Sequence, residues 1–202
     1  MRRLRVLVLM HKDLVPPDQL NGQELEGAAW KTEYDVVSTL RKLGHDVQPL
    51  GVKSDLEVIR SAVEDWKPHI AFNLLEEFDG RAVYDQNVVS YLELMRIPYT
   101  GCNPRGLMLA RDKALAKQVM SYHRIPYPEF MVVPLHRMVR RPKYLPFPLI
   151  VKSISEEASL GISQASIVDD DEKLRERVAF IHDNVGTGAL VERDIEGREL
   201  YV

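Results

Sequence analysis

Two lysines and a downstream acid stand where they could bind a phosphorylated ligand. Lys152 ends an apolar run in the segment IVKSISEEASLGIS, and Lys113 lies just inside a predicted helix. Glu199 follows the strand-like segment LVERDIEG. A lysine ammonium group is a point charge that suits phosphate oxygens. Two lysines on different elements, a hairpin loop and a strand with open backbone groups could together hold a triphosphate and a purine.

The same lysines also have a purely structural interpretation, because lysine is rarely buried unless it is paired. A lysine at a strand end would then simply face solvent. The common nucleotide motifs give no help, since the turn after the first strand reads MHKDLVPP and contains no G-x-G-x-x-G. The sequence also lacks a P-loop, H-E-x-x-H, C-x-x-C and G-x-S-x-G. Dinucleotide, P-loop, zinc-protease and serine-hydrolase sites are therefore disfavoured.

The composition is that of a soluble globular protein, with 202 residues of which 45% are apolar and 28% charged. A net charge of −3 lacks the basic footprint of nucleic-acid or membrane partners. Cys102 is the single cysteine, so no internal disulfide can form. The apolar run LRVLVLM is too short to span a membrane. These features predict a cytoplasmic protein with no nucleic-acid or membrane partner.

The order of predicted elements divides the chain into two domains, 1–103 and 104–202. The first alternates strands and helices, which predicts an α/β domain with a Rossmann-like parallel sheet. Its strands are predicted at 4–10, 46–50, 69–73 and 97–101, and its second helix begins with a capping box of Ser54 and Glu57. The second domain is predicted as α+β with an antiparallel sheet. Its elements are a helix at 111–124, strands at 128–134, 149–154 and 160–168, a helix at 169–184 and two strand pieces after 187.

From IPYTG onward the chain resembles the ATP-grasp superfamily, and most of all its D-alanine–D-alanine ligase-like branch. The segments that carry the resemblance are YLELMRIPYTG, LMLARDKALAKQVMSYHRIPYPEF, PLIVKSISEEASLGIS and ALVERDIEGREL. Their order and spacing cover about half of the chain, which is more specific than any single motif. The resemblance implies a parallel-sheet pre-ATP-grasp domain, followed by the central ATP-grasp subdomain and the start of a truncated C-terminal subdomain.

The resemblance also implies roles for individual residues. Lys113 and Lys152 would hold the phosphates of ATP, under a lid at 155–161 in which Ser159 faces them. Glu192 would accept the adenine amino group, and the acid near the first substrate's amino group would be Glu33. The remaining nucleotide contacts implied are the backbone of Arg193 and Ile195 around the adenine ring and Glu199 on the ribose.

The implied reaction is ATP-dependent carboxylate–amine ligation through an acyl phosphate, with amino acids or peptide-like molecules as substrates. Magnesium would assist, held by ligands expected beyond Val202, so we expect this chain to be an N-terminal fragment that is inactive or nearly so. A homodimer is also implied. Two departures leave the substrate open: FNLLEEFDG replaces a segment with His-Gly and Gly-Glu-Asp-Gly, and Glu157 and Ala158 replace glycine and serine in the lid. The alternative is a non-catalytic small-molecule-binding module.

Overall fold

The first of two compact units contains a parallel sheet. The computed structural model describes residues 2–17, 27–155, 163–198 and 200, and the chain divides into the units Met1–Met108 and Leu109–Val202. The first sheet has three strands in the order β2-β1-β3, all parallel. They are β1 (Arg5–His11), β2 (Asp46–Val52) and β3 (Ile70–Asn73). The predicted α/β architecture with a parallel sheet is confirmed.

Apolar side chains of β1 pack on both faces of this sheet. The helices of the unit are α1 (Lys31–Lys42), α2 (Glu57–Trp66) and α3 (Asp85–Leu94). Leu7 and Leu9 pack in one core with residues of α2 and α3, whereas Val8 packs in a second core with Val37 of α1. Because both faces are covered, β1 reads as a continuous apolar run rather than an alternating one.

Two local predictions for the first unit are wrong. The predicted fourth strand at 97–101 is reduced to a single bridge between Tyr99 and Ala71, because Pro98 has no N–H to extend a ladder and Gly101 turns the chain with φ +94. The predicted capping box is also absent. α2 begins at Glu57, whose backbone N–H donates to the carboxylate of Asp55 at 2.8 Å, so Asp55 takes the place predicted for Ser54.

The second unit contains an antiparallel sheet of four strands in the order β4-β7-β5-β6. Its elements are α5 (Lys113–Tyr122), β4 (Phe130–Val133), β5 (Leu149–Ser153), β6 (Ile167–Val168), α6 (Asp171–Phe180) and β7 (Ala189–Arg193). A helix that the sequence did not predict, α4 (Pro104–Arg111), precedes them. The predicted antiparallel sheet is confirmed. None of the described helices is long and apolar enough to cross a membrane.

One face of the antiparallel sheet forms the core of the second unit. Leu149 and Val151 of β5 pack there with Val191 of β7, and α6 covers them with Leu174 and Val178. The pairing of β5 with β6 confirms the predicted antiparallel return, although β6 is only two residues long. Residues 194–198, which follow β7, form no strand and bend at Gly197, and most of the second predicted strand piece lies outside the described residues.

Candidate functional site

The face of the antiparallel sheet opposite the core carries charged residues. Side chains alternate along a strand, so Lys152 points away from the core that contains Val151. In the register of β5 and β7, Ile150 is opposite Glu192 and Lys152 is opposite Leu190. Residues opposite one another in an antiparallel pair share a face, and diagonal neighbours lie within reach of long side chains. Lys152 and Glu192 are such diagonal neighbours.

Two lysines bind the carboxylate of Glu192 from different elements. The Nζ atom of Lys152 lies 2.6 Å from Oε1 of Glu192, and the Nζ atom of Lys117 lies 2.6 Å from Oε2. Glu192 is buried, with 6% of its surface exposed. The carboxylate therefore has one charge-assisted hydrogen bond on each oxygen, an arrangement that stabilises a charge with little access to water. We call these three residues the Lys117–Glu192–Lys152 cluster.

The lysines keep Glu192 ionised. Burial alone would raise the pKa of Glu192, but the hydrogen bonds from Lys117 and Lys152 outweigh burial and hold this pKa below its ordinary value. At neutral pH the cluster then contains two ammonium groups and one carboxylate. Its net positive charge suits an anionic ligand such as a phosphate.

Helix α5 holds Lys117 in place. The carboxylate of Asp112 accepts hydrogen bonds from the backbone N–H groups of Ala114 and Leu115, which caps the N-terminus of the helix. The backbone N–H of Lys113 donates to the carbonyl of Ile154, one residue beyond β5, at 3.3 Å. The first turn of α5 is therefore bonded directly to the segment that leaves β5.

Aromatic rings also contact Lys117. This residue is not among the predicted site residues. Its Nζ atom lies 5.6 Å from the ring centre of Phe130 and 5.8 Å from that of Tyr127, within the range of cation–π attraction. One sequence signal could have indicated this residue. Lys117 is four positions after Lys113, so the two side chains leave the same side of α5.

Four of the other predicted site residues lie at or near the end of β7 or outside the described residues. The backbone N–H of Arg193 donates to the carbonyl of Glu129 at 2.9 Å, so its backbone could bind a base only by accepting a hydrogen bond at its carbonyl oxygen. The side chain of Ile195 is exposed, beyond the last residue of β7. Ser159, Glu199 and most of the predicted lid lie outside the described residues.

Glu33, the acid predicted to lie near the first substrate's amino group, belongs to the first unit. It lies on α1 with 6% of its surface exposed. Its Oε2 atom is buried, and within the described part of the chain this atom has no hydrogen-bond partner. A buried carboxylate oxygen of this kind is a candidate acceptor for a ligand.

Known ligases resemble this chain in sequence and in fold. No model of a protein family matches it. A D-alanine–D-alanine ligase of Acidiphilium cryptum (strain JF-5) is 32% identical over 167 residues, which cover 83% of this chain and 52% of that protein. The D-alanine–D-alanine ligase of Bacillus anthracis has a crystal structure that matches with a TM-score of 0.74 at 22% identity, covering 96% of this chain and 58% of that one. The chain belongs to the ATP-grasp superfamily, in its D-alanine–D-alanine ligase-like branch.

A second crystal structure of the Bacillus anthracis ligase, in complex with ATP, matches this ATP-grasp chain with a TM-score of 0.69 at 20% identity, over 96% of this chain and 60% of the other. The chain's fold, with one parallel and one antiparallel sheet, thus matches that of ligase structures. The chain spans about half the length of the curated relatives that it matches. Relatedness and fold are therefore shown over the part of these ligases that the chain matches.

The described residues also contain no candidate metal site. Within residues 2–17, 27–155, 163–198 and 200, no group of three or more His, Cys, Asp or Glu side chains could hold a metal ion. The Lys117–Glu192–Lys152 cluster has two cations around one acid, which suits an anion and not a metal ion.

Proposed function

We propose that this chain binds ATP on the charged face of its antiparallel sheet, as the nucleotide-binding part of an ATP-dependent carboxylate–amine ligase. The observation that carries the proposal is the buried Lys117–Glu192–Lys152 cluster in an ATP-grasp chain. Lys152 and Lys113 would bind the phosphates, and Glu192 would accept a hydrogen bond from the adenine amino group. Arg193, Ile195, Ser159 and Glu199 keep the roles that the resemblance implies.

The chemistry of the cluster supports a nucleotide better than a simple anion. An ammonium group binds phosphate oxygens, whereas an ionised carboxylate accepts hydrogen bonds from an amino group and repels phosphate. Adenine nucleotides have an exocyclic amine at one end and phosphates at the other. A site that displays both an acid and lysines can therefore bind both ends and fix the orientation of the nucleotide.

The proposed reaction has two steps. An oxygen of a substrate carboxylate forms a bond to the γ-phosphorus of ATP, and the bond between this phosphorus and ADP breaks. The nitrogen of an amine then forms a bond to the carbonyl carbon of the acyl phosphate, inorganic phosphate leaves, and the nitrogen loses a proton. Protein contributions to such a reaction are mainly positioning and neutralisation of phosphate charge. Magnesium, when bound, would neutralise further charge on the phosphates.

Amino acids or peptide-like molecules are the proposed substrates. Glu33 would accept a hydrogen bond from the amino group of the first substrate. This role is supported by its buried Oε2 atom, which has no hydrogen-bond partner within the described part of the chain. The identity of that substrate stays open, because FNLLEEFDG differs from the family segment that contains His-Gly. The same difference favours the alternative function, a non-catalytic module that binds a small molecule.

Nucleotide binding is tested by isothermal titration calorimetry of the chain with ATP. We expect Lys152→Met to weaken ATP binding about tenfold or more, the usual effect of losing a hydrogen bond to a charged group. Lys173→Met is the matched control, because Lys173 is an exposed lysine on α6 that pairs with Asp169 and not with Glu192. Failure of the wild-type chain to bind ATP, or equal affinities for Lys152→Met and wild type, contradicts the proposal.

Ligation is tested by phosphate release from ATP by the full-length protein, with magnesium and a panel of amino acids added singly and in pairs. We expect release to require an amino acid, and Glu33→Gln to raise the KM for the first substrate more than it lowers kcat. ATP binding without release on any amino acid would favour the non-catalytic module. The measurement therefore separates the two functions.

A further inference from the structure

We propose that Lys117 is a positioning residue that keeps Glu192 charged when Lys152 turns from Glu192 to a phosphate of the bound nucleotide. The inference rests on the proposed function, since it concerns how the same site accepts ATP. It adds a residue to which the sequence resemblance gave no role. The contacts, the burial and the anchoring of Lys117 all support this role.

Lys152 has two competing partners in the proposed site, Glu192 and a phosphate. Its Nζ atom is 2.6 Å from the carboxylate of Glu192, yet the proposed function requires the same ammonium group to bind phosphate. Glu192 is buried, and a buried carboxylate that loses its cation becomes unstable as an anion. A nucleotide could therefore draw Lys152 away only if another cation stays with Glu192.

Lys117 meets this requirement independently of Lys152. Lys117 binds Oε2 whereas Lys152 binds Oε1, so the departure of one lysine leaves the other ion pair intact. The cluster has two cations for one acid, and one of them is therefore available to a ligand. A single Lys–Glu pair would have no such surplus charge.

Exposure and contacts identify which lysine stays. The side chain of Lys117 is 13% exposed and that of Lys152 is 26% exposed. The ammonium group of Lys117 also contacts the rings of Tyr127 and Phe130, and its helix is capped by Asp112. Lys117 is thus the more enclosed and more anchored of the two. Lys152 lies near the end of β5 with more access to solvent, where it can turn towards a phosphate.

Removal of Lys117 then has a specific consequence beyond weaker binding. In Lys117→Met, a nucleotide that draws Lys152 away leaves Glu192 buried without a cation, so Glu192 takes up a proton. Proton uptake on binding means that the complex holds more protons than the free partners. ATP affinity of this variant must therefore fall as the pH rises, relative to wild type.

The test measures ATP binding calorimetrically from pH 6 to pH 8.5, in buffers of different ionisation enthalpy so that proton uptake is counted. Protonation of ATP itself is common to all variants, so only differences from wild type are used. We expect Lys117→Met to bind ATP about tenfold or more weakly at pH 8 and to take up additional protons. Lys117→Arg keeps the charge, and we expect it to match wild type in proton uptake.

Glu192→Gln supplies the decisive control, because a neutral amide needs no cation. In that background, Lys117→Met should cause no additional proton uptake. If Lys117→Met does not fold, as judged by circular dichroism, Lys117→Gln makes the same comparison. Wild type that fails to bind ATP contradicts the proposed function itself. Wild type that binds ATP, with Lys117→Met equal to it in affinity and proton uptake, contradicts only the positioning role.

Discussion

Two glutamates are equally buried in the two units and have opposite surroundings. Glu33 on α1 and Glu192 on β7 are each 6% exposed. Glu192 has a lysine on each carboxylate oxygen, one from β5 and one from α5. Among the described residues, Oε2 of Glu33 has no hydrogen-bond partner. Burial alone therefore does not show what a carboxylate does.

The difference indicates two ways in which a buried acid can serve a ligand. Glu192 is compensated by the protein and can stay charged without a ligand, so its surroundings suit a site that is formed in advance. Glu33 has an oxygen that a cationic group could satisfy, such as the amino group of an amino acid. The helices that carry Lys117 and Glu33 also differ in how their N-termini are capped. α5 has the side-chain cap of Asp112, whereas the N-cap of α1, Trp30, makes no side-chain capping bond.

The largest expected effect tests the two glutamates against each other. Glu192→Gln leaves two enclosed lysines without an anion, and we expect it to lower the free energy of unfolding by about 3 kcal/mol. Glu33→Gln replaces a buried carboxyl group, one oxygen of which has no hydrogen-bond partner among the described residues, and we expect a change below about 1 kcal/mol. Urea denaturation followed by far-ultraviolet circular dichroism measures both variants.

Hydrogen exchange assigns each loss of stability to a unit. Amides of β7 should lose protection in Glu192→Gln, and amides of α1 should keep their protection in Glu33→Gln. A loss in Glu33→Gln as large as that in Glu192→Gln would show that Glu33 has a stabilising partner in the folded protein. The contrast between the two acids would then be wrong.

The second prediction sharpens the contrast through acid pH. The pKa of Glu192 is lower in the folded chain than its ordinary value, so the unfolded chain binds more protons in this range. The stability due to the cluster is present above the ordinary pKa of glutamate and is lost as the pH falls through the folded value. The stability difference between wild type and Glu192→Gln should therefore shrink from about pH 5 to pH 3.

A pH-independent difference between these two proteins would show that the lysines do not stabilise the ionised form of Glu192. Lys173→Met is again the control variant, since Lys173 is an exposed residue outside the cluster. Its own pairing with Asp169 lowers the pKa of Asp169, but an exposed pair of this kind contributes little to stability. We expect its stability curve to follow that of wild type.

Strand and helix patterns made the fold predictable from the sequence. The continuous apolar run of β1 and the helical spacing in α1 gave the parallel sheet, and both are confirmed. The fourth strand at 97–101 could not be judged by apolar pattern alone, because Pro98 and Gly101 limit its hydrogen bonds to a single bridge. The second strand piece predicted after β7 lies mostly outside the described residues.

The candidate site was predictable in part. Lys152 at the end of β5 and Glu192 on β7 are both predicted site residues, and the structure brings them together. Their direct contact depends on the register of β5 and β7, which the sequence does not state. Lys117 was missed because a lysine on a helix is usually exposed. Only the tertiary packing of α5 against the sheet residue Phe130 shows that it is enclosed.

A loss smaller than that of Glu192→Gln is expected at the cap that holds the helix of Lys117. Asp112→Ala removes the acceptor for the N–H groups of Ala114 and Leu115, and we expect it to lower stability by about 1 kcal/mol. Asp112→Asn keeps an oxygen acceptor and should lower stability less, so it is the matched control.

If α5 positions Lys117, Asp112→Ala should also weaken the part of ATP binding that depends on Lys117. Because Lys117→Met has already lost that contribution, the cap variant should weaken ATP binding less in the Lys117→Met background than in wild type. Equal weakening in both backgrounds would mean that the cap stabilises the unit without positioning Lys117.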